Sequence, residues 1–435
     1  MNTKYYYIII IISFFTAREL NLQSSINYAL DNSTNVKLSD NLIEISKAQA
    51  KDAGSLIFPK VSGYISTKYN FSLPEQTIDF GGISQTIKFG NDQSANLGIS
   101  INQIIFEGRV FSAIRSSKFY NKISQSSYEY AKLKVIEQTK HAFYLCLFAS
   151  QSYNVINKSY NRALNSYENT ALLFEKGNKR EFDKIQSESL VAKRKTDLIN
   201  TEKTLKIAKE NLKQIIGYPL DKEITVVGTL KLDEILDLNF DKLKSEMINN
   251  QPLIEQSNFN LDLMNENIKY NKSSFYPGIY LDATYNMLQD FDKGNFDFNN
   301  FTENTYIGLN ISVPILEISN FAKLKMAKAE FNKSRYEKLN LENTLILELK
   351  NLLLTYSETK QKLLSAEKQL ELGLKGQIAS KRLYDRGMIT QIEFESAELS
   401  LLQAELQVAQ VKFEYLTTVA SIERSIGTSI RNHNE

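Results

Sequence analysis

Residues 278–287, GIYLDATYNM, and residues 306–313, YIGLNISV, decide the fold. In the first, Ile279, Leu281, Ala283, Tyr285 and Met287 alternate with Asp282, Thr284 and Asn286; in the second, Ile307, Leu309, Ile311 and Val313 alternate with Gly308, Asn310 and Ser312. A period of two sends successive side chains to opposite faces of a strand, so each stretch has one apolar and one polar face. Asp, Asn and Gly residues between them bracket a hairpin. The pattern also occurs upstream. Val61, Gly63, Ile65, Thr67, Tyr69 and Phe71 alternate with Ser62, Tyr64, Ser66, Lys68 and Asn70, and then Leu97, Ile99, Ile101 and Ile105 alternate with Asn96, Ser100 and Asn102. Strands are therefore expected at about 60–72, 94–106, 278–288 and 304–315. Such hairpins either sit half buried in a soluble sandwich or line a membrane β-barrel, and their apolar sides of about 9–11 residues match a tilted bilayer-spanning strand.

The rest of the chain reads as helix. The six prolines leave 75–218 and 315–435 free of proline, which permits long uninterrupted helices. Leu399, Leu402, Leu406, Ala409, Phe413, Leu416 and Ala420 follow alternating three and four spacing, as do Leu345, Leu349, Leu352, Tyr356, Thr359, Leu363, Ala366 and Leu370. These are coiled-coil seams. Residues 110–175 are expected to form one helix of ~100 Å at 1.5 Å per residue, matched by 22–56 and 181–217 stacked end to end at ~108 Å. The second half repeats this with 320–385 against 241–275 plus 391–427. Gly98/Gly308, Glu107/Glu317, Phe111/Phe321, Gly177/Gly387 and Gly217/Gly427 all lie 210 residues apart (308 − 98), which marks an internal duplication. Pro59 and Pro277 lie 218 apart (277 − 59), so the length difference falls in the hairpin loop. The expected division is a signal peptide at 1–17, structural repeat 1 at 18–230, structural repeat 2 at 231–430 and a tail at 431–435.

Composition narrows the function. The 435 residues carry 52 Lys+Arg against 50 Asp+Glu, a net charge of +2 that gives no electrostatic case for nucleic acid. A single cysteine, Cys146, excludes an intrachain disulfide framework or a Cys-based metal cluster, and only two histidines are present. No cofactor is called for, and the absence of a nucleophile-base pair, phosphate loop or metal-ligand spacing argues against an enzyme. Tyr5 to Ala17 is an uncharged apolar run behind Lys4, too short to span a bilayer as a helix but suited to an export signal. Export, together with helices that keep their own seams, favours strands that face lipid. Four strands leave open edges, which lipid does not tolerate, so oligomerisation follows and three copies give 12 strands.

Taken in order, the chain resembles the TolC-like outer-membrane efflux protein family from about Asn21 to Gly427. LNLQSSINYALDNSTNVKLSD and NFDKLKSEMINNQPLIEQS resemble the opening helix of each repeat. FPKVSGYIS and YPGIYLDATY resemble the Pro-led first strand, while LGISINQIIFEG and IGLNISVPILEIS resemble the strand that runs into the long helix. KGNKREFDKIQSE and RGMITQIEFESAE resemble the glycine-to-acid turns at the periplasmic tips. Ile104 stands where the family commonly has proline, and Ile318 and Ser319 where it has glycines; no cysteine is placed for an acyl anchor.

The resemblance implies a mainly α protein with a membrane β-barrel portion. The long antiparallel coiled-coil helices form a helical barrel through the periplasm, and a homotrimer forms the 12-stranded barrel in outer-membrane lipid. It implies a passive exit duct of a Gram-negative bacterium, served by a periplasmic adaptor (membrane fusion protein) and an inner-membrane pump of the resistance-nodulation-division or ABC type. The alternatives are a type I protein secretion outlet on the same scaffold, or a soluble periplasmic coiled-coil scaffold. Lys68, Asn70, Asn102, Asp282 and Asn310 are expected to face the lumen. By the resemblance Glu393 stands at the narrow entrance, where three copies make a carboxylate ring; the plainer reading is a first-turn acid that favours the helix N-terminus. The family's second entrance acid falls at Ser396. Asp183 and Tyr384 match positions that lock the closed entrance by a hydrogen bond between neighbouring helix pairs, and the lock's basic partner falls at Ile389, with Arg386 and Arg382 nearby. Gly177 and Gly387 end long helices, as a residue free to adopt the left-handed conformation does. With Arg386 they mark the tips that meet the adaptor. His141 and Cys146 are expected in core packing.

Overall fold

The computed structural model describes residues 18–81, 83–232, 238–292 and 295–428. The expected signal peptide at 1–17 and the tail at 431–435 lie outside the described residues. In chain order the elements are β1 (Arg18–Leu20), α1 (Leu22–Asn32), α2 (Thr34–Ser55), β2 (Lys60–Tyr69), β3 (Glu75–Phe80), β4 (Ile83–Lys88), β5 (Gln93–Phe106), α3 (Gly108–Glu175), α4 (Glu181–Ile216), β6 (Ile224–Val226), α5 (Phe240–Asn250), α6 (Pro252–Ser273), β7 (Gly278–Phe291), β8 (Thr302–Ser312), α7 (Ile318–Asp385) and α8 (Gln391–Ile426). The duplication is visible in the lengths. α1 and α5 have 11 residues each, α2 and α6 have 22, α3 and α7 have 68, and α4 and α8 have 36. The extra length in repeat one is the β3–β4 hairpin, which has no counterpart among the described residues between β7 and β8.

The chain divides into two compact units that cut across the repeats: residues 1–41, 126–255 and 340–435 in one, and 42–125 and 256–339 in the other. The first unit is helical, with a core that includes Leu20, Leu212, Ile216, Met247, Leu349, Ile422 and Ile426. Both expected seams pack there: Leu345, Leu349, Tyr356, Thr359, Leu363 and Ala366 are buried on α7, and Leu402, Ala409, Leu416 and Ala420 on α8. Leu399 is an exception, 38% exposed, with Leu401 buried beside it. A charged network ties α3, α7 and α8 together: Arg424 donates to Glu137 at 2.7 Å and to Glu348, Lys140 pairs with Glu423, and the Ser421 hydroxyl donates to Glu137 at 2.7 Å. Removing one partner of such a buried set leaves the others uncompensated, which makes it a specific lock on helix register.

The single helices expected over 22–56 and 241–275 are each broken, at Ser33 and Gln251. Gln251 precedes Pro252, whose ring disfavours helical backbone in the residue before it. α1 and α5 pack beside α4 and α8. Gly217 and Gly427, both left-handed with φ of 74° and 77°, bring the chain against the breaks; a Cβ on either would stand 2.5 Å from the carbonyl oxygen of Asn32 or Asn250. The buried Gln251 amide donates to the carbonyls of Arg424 and Ser425 at 3.0 and 2.8 Å, satisfying acceptors that the end of α8 leaves open. A short parallel pairing of β1 with β6, which periodicity does not announce, fastens the segment before α1.

The second unit holds an antiparallel sheet in the order β2–β5–β7–β8. Its helical parts follow the same order. Asn121 of α3 donates to Ser46 of α2 at 3.0 Å, Arg115 of α3 to Glu266 of α6 at 2.8 Å, and Asn260 of α6 to Ser334 of α7 at 2.9 Å. The expected strands are found with ends shifted: β5 starts at Gln93, β7 runs on to Phe291, and β8 spans Thr302–Ser312.

Candidate functional site

Two regions carry the residues singled out by sequence. The first is the sheet. Residues directly opposite one another share a face, and the register aligns Lys60 with Asn102 and Asn102 with Asp282. Lys68, Asn102, Asp282 and Asn310 therefore lie on one polar face, where the Asn310 amide donates to Asp282. Asn70 lies one residue past β2. Its N–H donates to the Asp92 carbonyl at 2.8 Å and its amide to the Asn91 carbonyl at 3.0 Å, so it closes the neck of the β3–β4 loop. At the base of this face Asp52, Lys60, Asn102, Tyr280, Asp282 and Asn310 line a concavity of about 860 Å³.

The other face is apolar and uncovered by the chain itself: Ile65 is 84% exposed, Ile307 76% and Leu309 62%. Tyr69 and Phe71, with rings 5.0 Å apart, and Phe291 against Phe296 at 5.2 Å lie at one end of the sheet, and Phe106 against Phe111 at 6.1 Å at the other. Among the described residues no helix is long and apolar enough to cross a membrane.

The second region is the pair of turns α3–α4 and α7–α8, both in the helical unit. Gly177 (φ 73°) and Gly387 (φ 71°) are left-handed, and their N–H groups donate to the carbonyls of Phe174 and Tyr384, each at 2.9 Å. Each of the next helices begins with an acid at its third position that accepts from the N-cap backbone N–H; only α8 has the full reciprocal capping box, because Arg180, which precedes α4, carries no side-chain acceptor. Asp183 accepts from the Arg180 guanidinium at 2.9 and 3.1 Å and from its backbone N–H at 3.4 Å. Glu393 accepts from the Thr390 N–H at 2.8 Å and hydroxyl at 2.9 Å, and its own N–H donates back to that hydroxyl. Both acids hold the third position of their helices and lie 210 residues apart (393 − 183), a correspondence present in the sequence but hidden while the two were given separate roles. The side-chain bond from Arg180 holds the Asp183 carboxyl below the usual range, and the backbone bond from Thr390 does the same for Glu393.

Asp183 and Tyr384 are not joined within the chain. Tyr384 is buried, stacks on Phe394 at 4.9 Å and donates its hydroxyl to Gln391; the link between the turns is Lys179, whose ammonium sits 4.3 Å above the Tyr384 ring. Gln391 and Gln186 both donate to Glu395, at 2.7 and 3.3 Å, while Glu398 is engaged by Arg162 and Gln377, both at 2.7 Å. Glu393 and Arg386 are exposed. His141, expected in the core, is exposed, its ring edge-on to Phe413, because its position on α3 faces away from the buried seam; Cys146 is fully buried, with its thiol pushed up to about 12 by burial. Among the described residues no group of three or more His, Cys, Asp or Glu is arranged to hold a metal ion.

Solved structures share this architecture. The CmeC outer membrane channel of Campylobacter jejuni is 19% identical and superposes with a TM-score of 0.79 over 93% of this chain and 85% of its own. The open-state MtrE outer membrane channel of Neisseria gonorrhoeae is 17% identical, with a TM-score of 0.76 over 94% and 89%. The outer membrane protein VceC of Vibrio cholerae is 14% identical, with a TM-score of 0.73 over 94% and 96%. None of the curated proteins matches this chain. The sequence pattern of the outer membrane efflux proteins matches residues 25–218 and 243–428, one segment in each repeat, and the chain therefore belongs to the outer membrane efflux protein family.

Proposed function

We propose that three copies of this chain close a 12-stranded barrel in outer-membrane lipid and continue it as a helical conduit, a passive exit duct for solutes delivered by an inner-membrane pump through a periplasmic adaptor. The observation that carries this reading is the sheet: one apolar face, one polar face, and two open edges, β2 and β8. Lipid covers an apolar face and punishes an unpaired edge, so pairing β8 of each copy with β2 of the next is what a bilayer demands. Aromatic rings at both ends of the sheet suit the two interfaces. α7 supports the trimer, because beside its buried seam it exposes a second apolar set, Tyr336, Leu339, Leu347, Leu354 and Leu364, suited to a neighbouring copy. The turns at Gly177 and Gly387, with exposed Arg386, form the adaptor-docking tips. Glu393, exposed and held ionised by its capping box, contributes the entrance carboxylate, while Asp183 and Tyr384 fix the shapes of the two turns. No bond is made or broken.

Single-channel recording in a planar bilayer tests this. Wild-type protein is expected to form cation-preferring pores that a polyvalent cation blocks, and Glu393→Ala is expected to abolish the block. Pores indifferent to the substitution remove the entrance ring, and failure of a folded trimer to conduct removes the channel.

A further inference from the structure

Neither the sheet nor the tips account for a basic groove in repeat one. Lys47 and Lys51 of α2 and Lys118 and Lys122 of α3 line a groove of about 600 Å³ that also holds Glu44 and Ala48. All four lysines are exposed. Lys47 is ion-paired with Glu44 at 2.7 Å, and the Lys122 ammonium lies 5.0 Å from the centre of the Phe259 ring on α6. Among the described residues no carboxylate stands within ion-pair distance of Lys51, Lys118 or Lys122. Other acids do not cancel the groove. Asp262 stands one turn from Phe259 on α6, so four lysines meet two carboxylates, an excess of two positive charges (4 − 2). Arg115 and Lys269 share Glu266 at 2.8 and 2.6 Å, Glu129 is paired with Lys132 at 2.7 Å, and Asp52 lines the concavity on the polar face of the sheet.

The groove opens on the side of the apolar face. Phe111, Lys118 and Lys122 are spaced by seven and eleven residues (118 − 111 and 122 − 111) and so share one face of α3. The Phe111 ring meets Phe106, which stands opposite Ile279, itself opposite Ile311 on the uncovered apolar face. Lys118 and Lys122 therefore lie about 10 and 16 Å beyond Phe111 at ~1.5 Å per residue. Helical side chains lean toward the helix N-terminus, and α3 begins at the sheet, so both ammonium groups reach back toward a bilayer that surrounds the sheet. With a headgroup layer about 5–8 Å deep, the four-carbon stem of Lys118 brings its charge level with lipid phosphates. Helix packing does not require the cluster. At the offsets that separate the helix starts (252 − 34 and 318 − 108), the second repeat has Asn265 for Lys47 and Asn332 for Lys122.

We propose that this groove holds the headgroup of a net-anionic glycerophospholipid from the periplasmic leaflet, one lipid per copy. The inference rests on the barrel reading above. The lysines take the phosphate, and their excess charge disfavours a zwitterionic headgroup, whose own cation they repel. The acyl chains run from the groove over Phe111 and Phe106 onto the apolar face of the sheet, so headgroup and chains meet surfaces that are continuous with one another.

The chain has no tryptophan, so a single introduced indole reports alone. The full-length Phe111→Trp protein is reconstituted at low salt in bilayers of phosphatidylcholine and phosphatidylglycerol, with brominated acyl chains on one lipid and then on the other. Quenching gives the relative affinity of the two lipids beside position 111. Phosphatidylglycerol is expected to be favoured about fivefold, and the ratio to fall within about twofold of equality when Lys51→Gln and Lys118→Gln are added or the salt is raised. Quenching by brominated phosphatidylcholine in every variant shows that the protein is folded and inserted. Lys325→Gln with Lys328→Gln, two exposed lysines of α7, is expected to leave the ratio unchanged. A preference that survives loss of Lys51 and Lys118, or that the α7 pair lowers as much, overturns the groove and leaves the barrel intact. Loss of the preference on adding glycerol 3-phosphate at matched ionic strength overturns the lipid as occupant in favour of a phosphate from solution. A folded trimer whose indole neither brominated lipid quenches overturns the barrel and the lipid site with it.

Discussion

Asp183 and Glu393 close the first turns of α4 and α8 by the same device, and that device is pH-dependent. Both carboxyls are held below their ordinary values, so the stability they lend is complete above about pH 4, the unfolded range for these groups, and is lost as pH falls through the lowered native values. Amide protection at 181–184 and 391–394, with the intrinsic exchange rate divided out, is expected to fall below that range, and Glu393→Gln is expected to remove the pH dependence of protection at 391–394 only. The glycines separate in the same way. A Cβ at Gly387 meets nothing within 4 Å, whereas one at Gly427 meets the Asn250 carbonyl oxygen at 2.5 Å. Gly387→Ala is expected to cost about 1 kcal/mol from backbone strain alone and Gly427→Ala at least ~2–3 kcal/mol, read as thermal midpoints of the two variants side by side. At this scale the sequence was uneven. Helix-ending glycines and capping acids announce themselves locally; the partners of Tyr384 do not, because Gln391, Phe394 and Lys179 reach it only once two turns are folded side by side.

Helix extents were readable because proline-free heptads leave one low-energy arrangement: α3 and α7 begin within two residues of expectation and end on it. The breaks at Ser33 and Gln251 were not, since what imposes them is the arrival of Gly217 and Gly427 from far along the chain, although Pro252 offered a local hint. Gln251→Ala is expected to cost about 1–3 kcal/mol, because the buried carbonyls of Arg424 and Ser425 lose their donor while the fold keeps its shape. Denaturant midpoints with an unchanged m-value check this. The β3–β4 hairpin is a two-stranded piece whose neck is already closed by Asn70, Asp92 and Asn91. An isolated hairpin adds little stability. Replacing 75–88 by a short turn is therefore expected to leave the thermal midpoint within a few degrees of wild type.

For the whole molecule the duplication was legible from five residue pairs at one offset, whereas the sheet order was not, because the β5–β7 pairing joins strands of different repeats that no local pattern links. The uncovered apolar face sets a directional expectation. Ile307→Lys places a charge on the face assigned to lipid and is expected to cost about 2–4 kcal/mol if it lies near the midplane, lowering the amount recovered in outer membranes; Asn304→Lys, on the polar face, is expected to be tolerated. The sheet also has a consequence for how the protein comes to be folded. Its central pairing sets Gly98 opposite Asn286, a separation of 188 residues (286 − 98), while each helical hairpin joins neighbours in sequence. Closing so long a loop costs entropy before any contact repays it. A chain emerging from synthesis therefore holds repeat one as helices with a lone β2–β5 ribbon, apolar on one side, until repeat two supplies β7. That interval of exposed, half-built sheet is when the protein most needs a holdase, and it ends only when about two-thirds of the chain has been made.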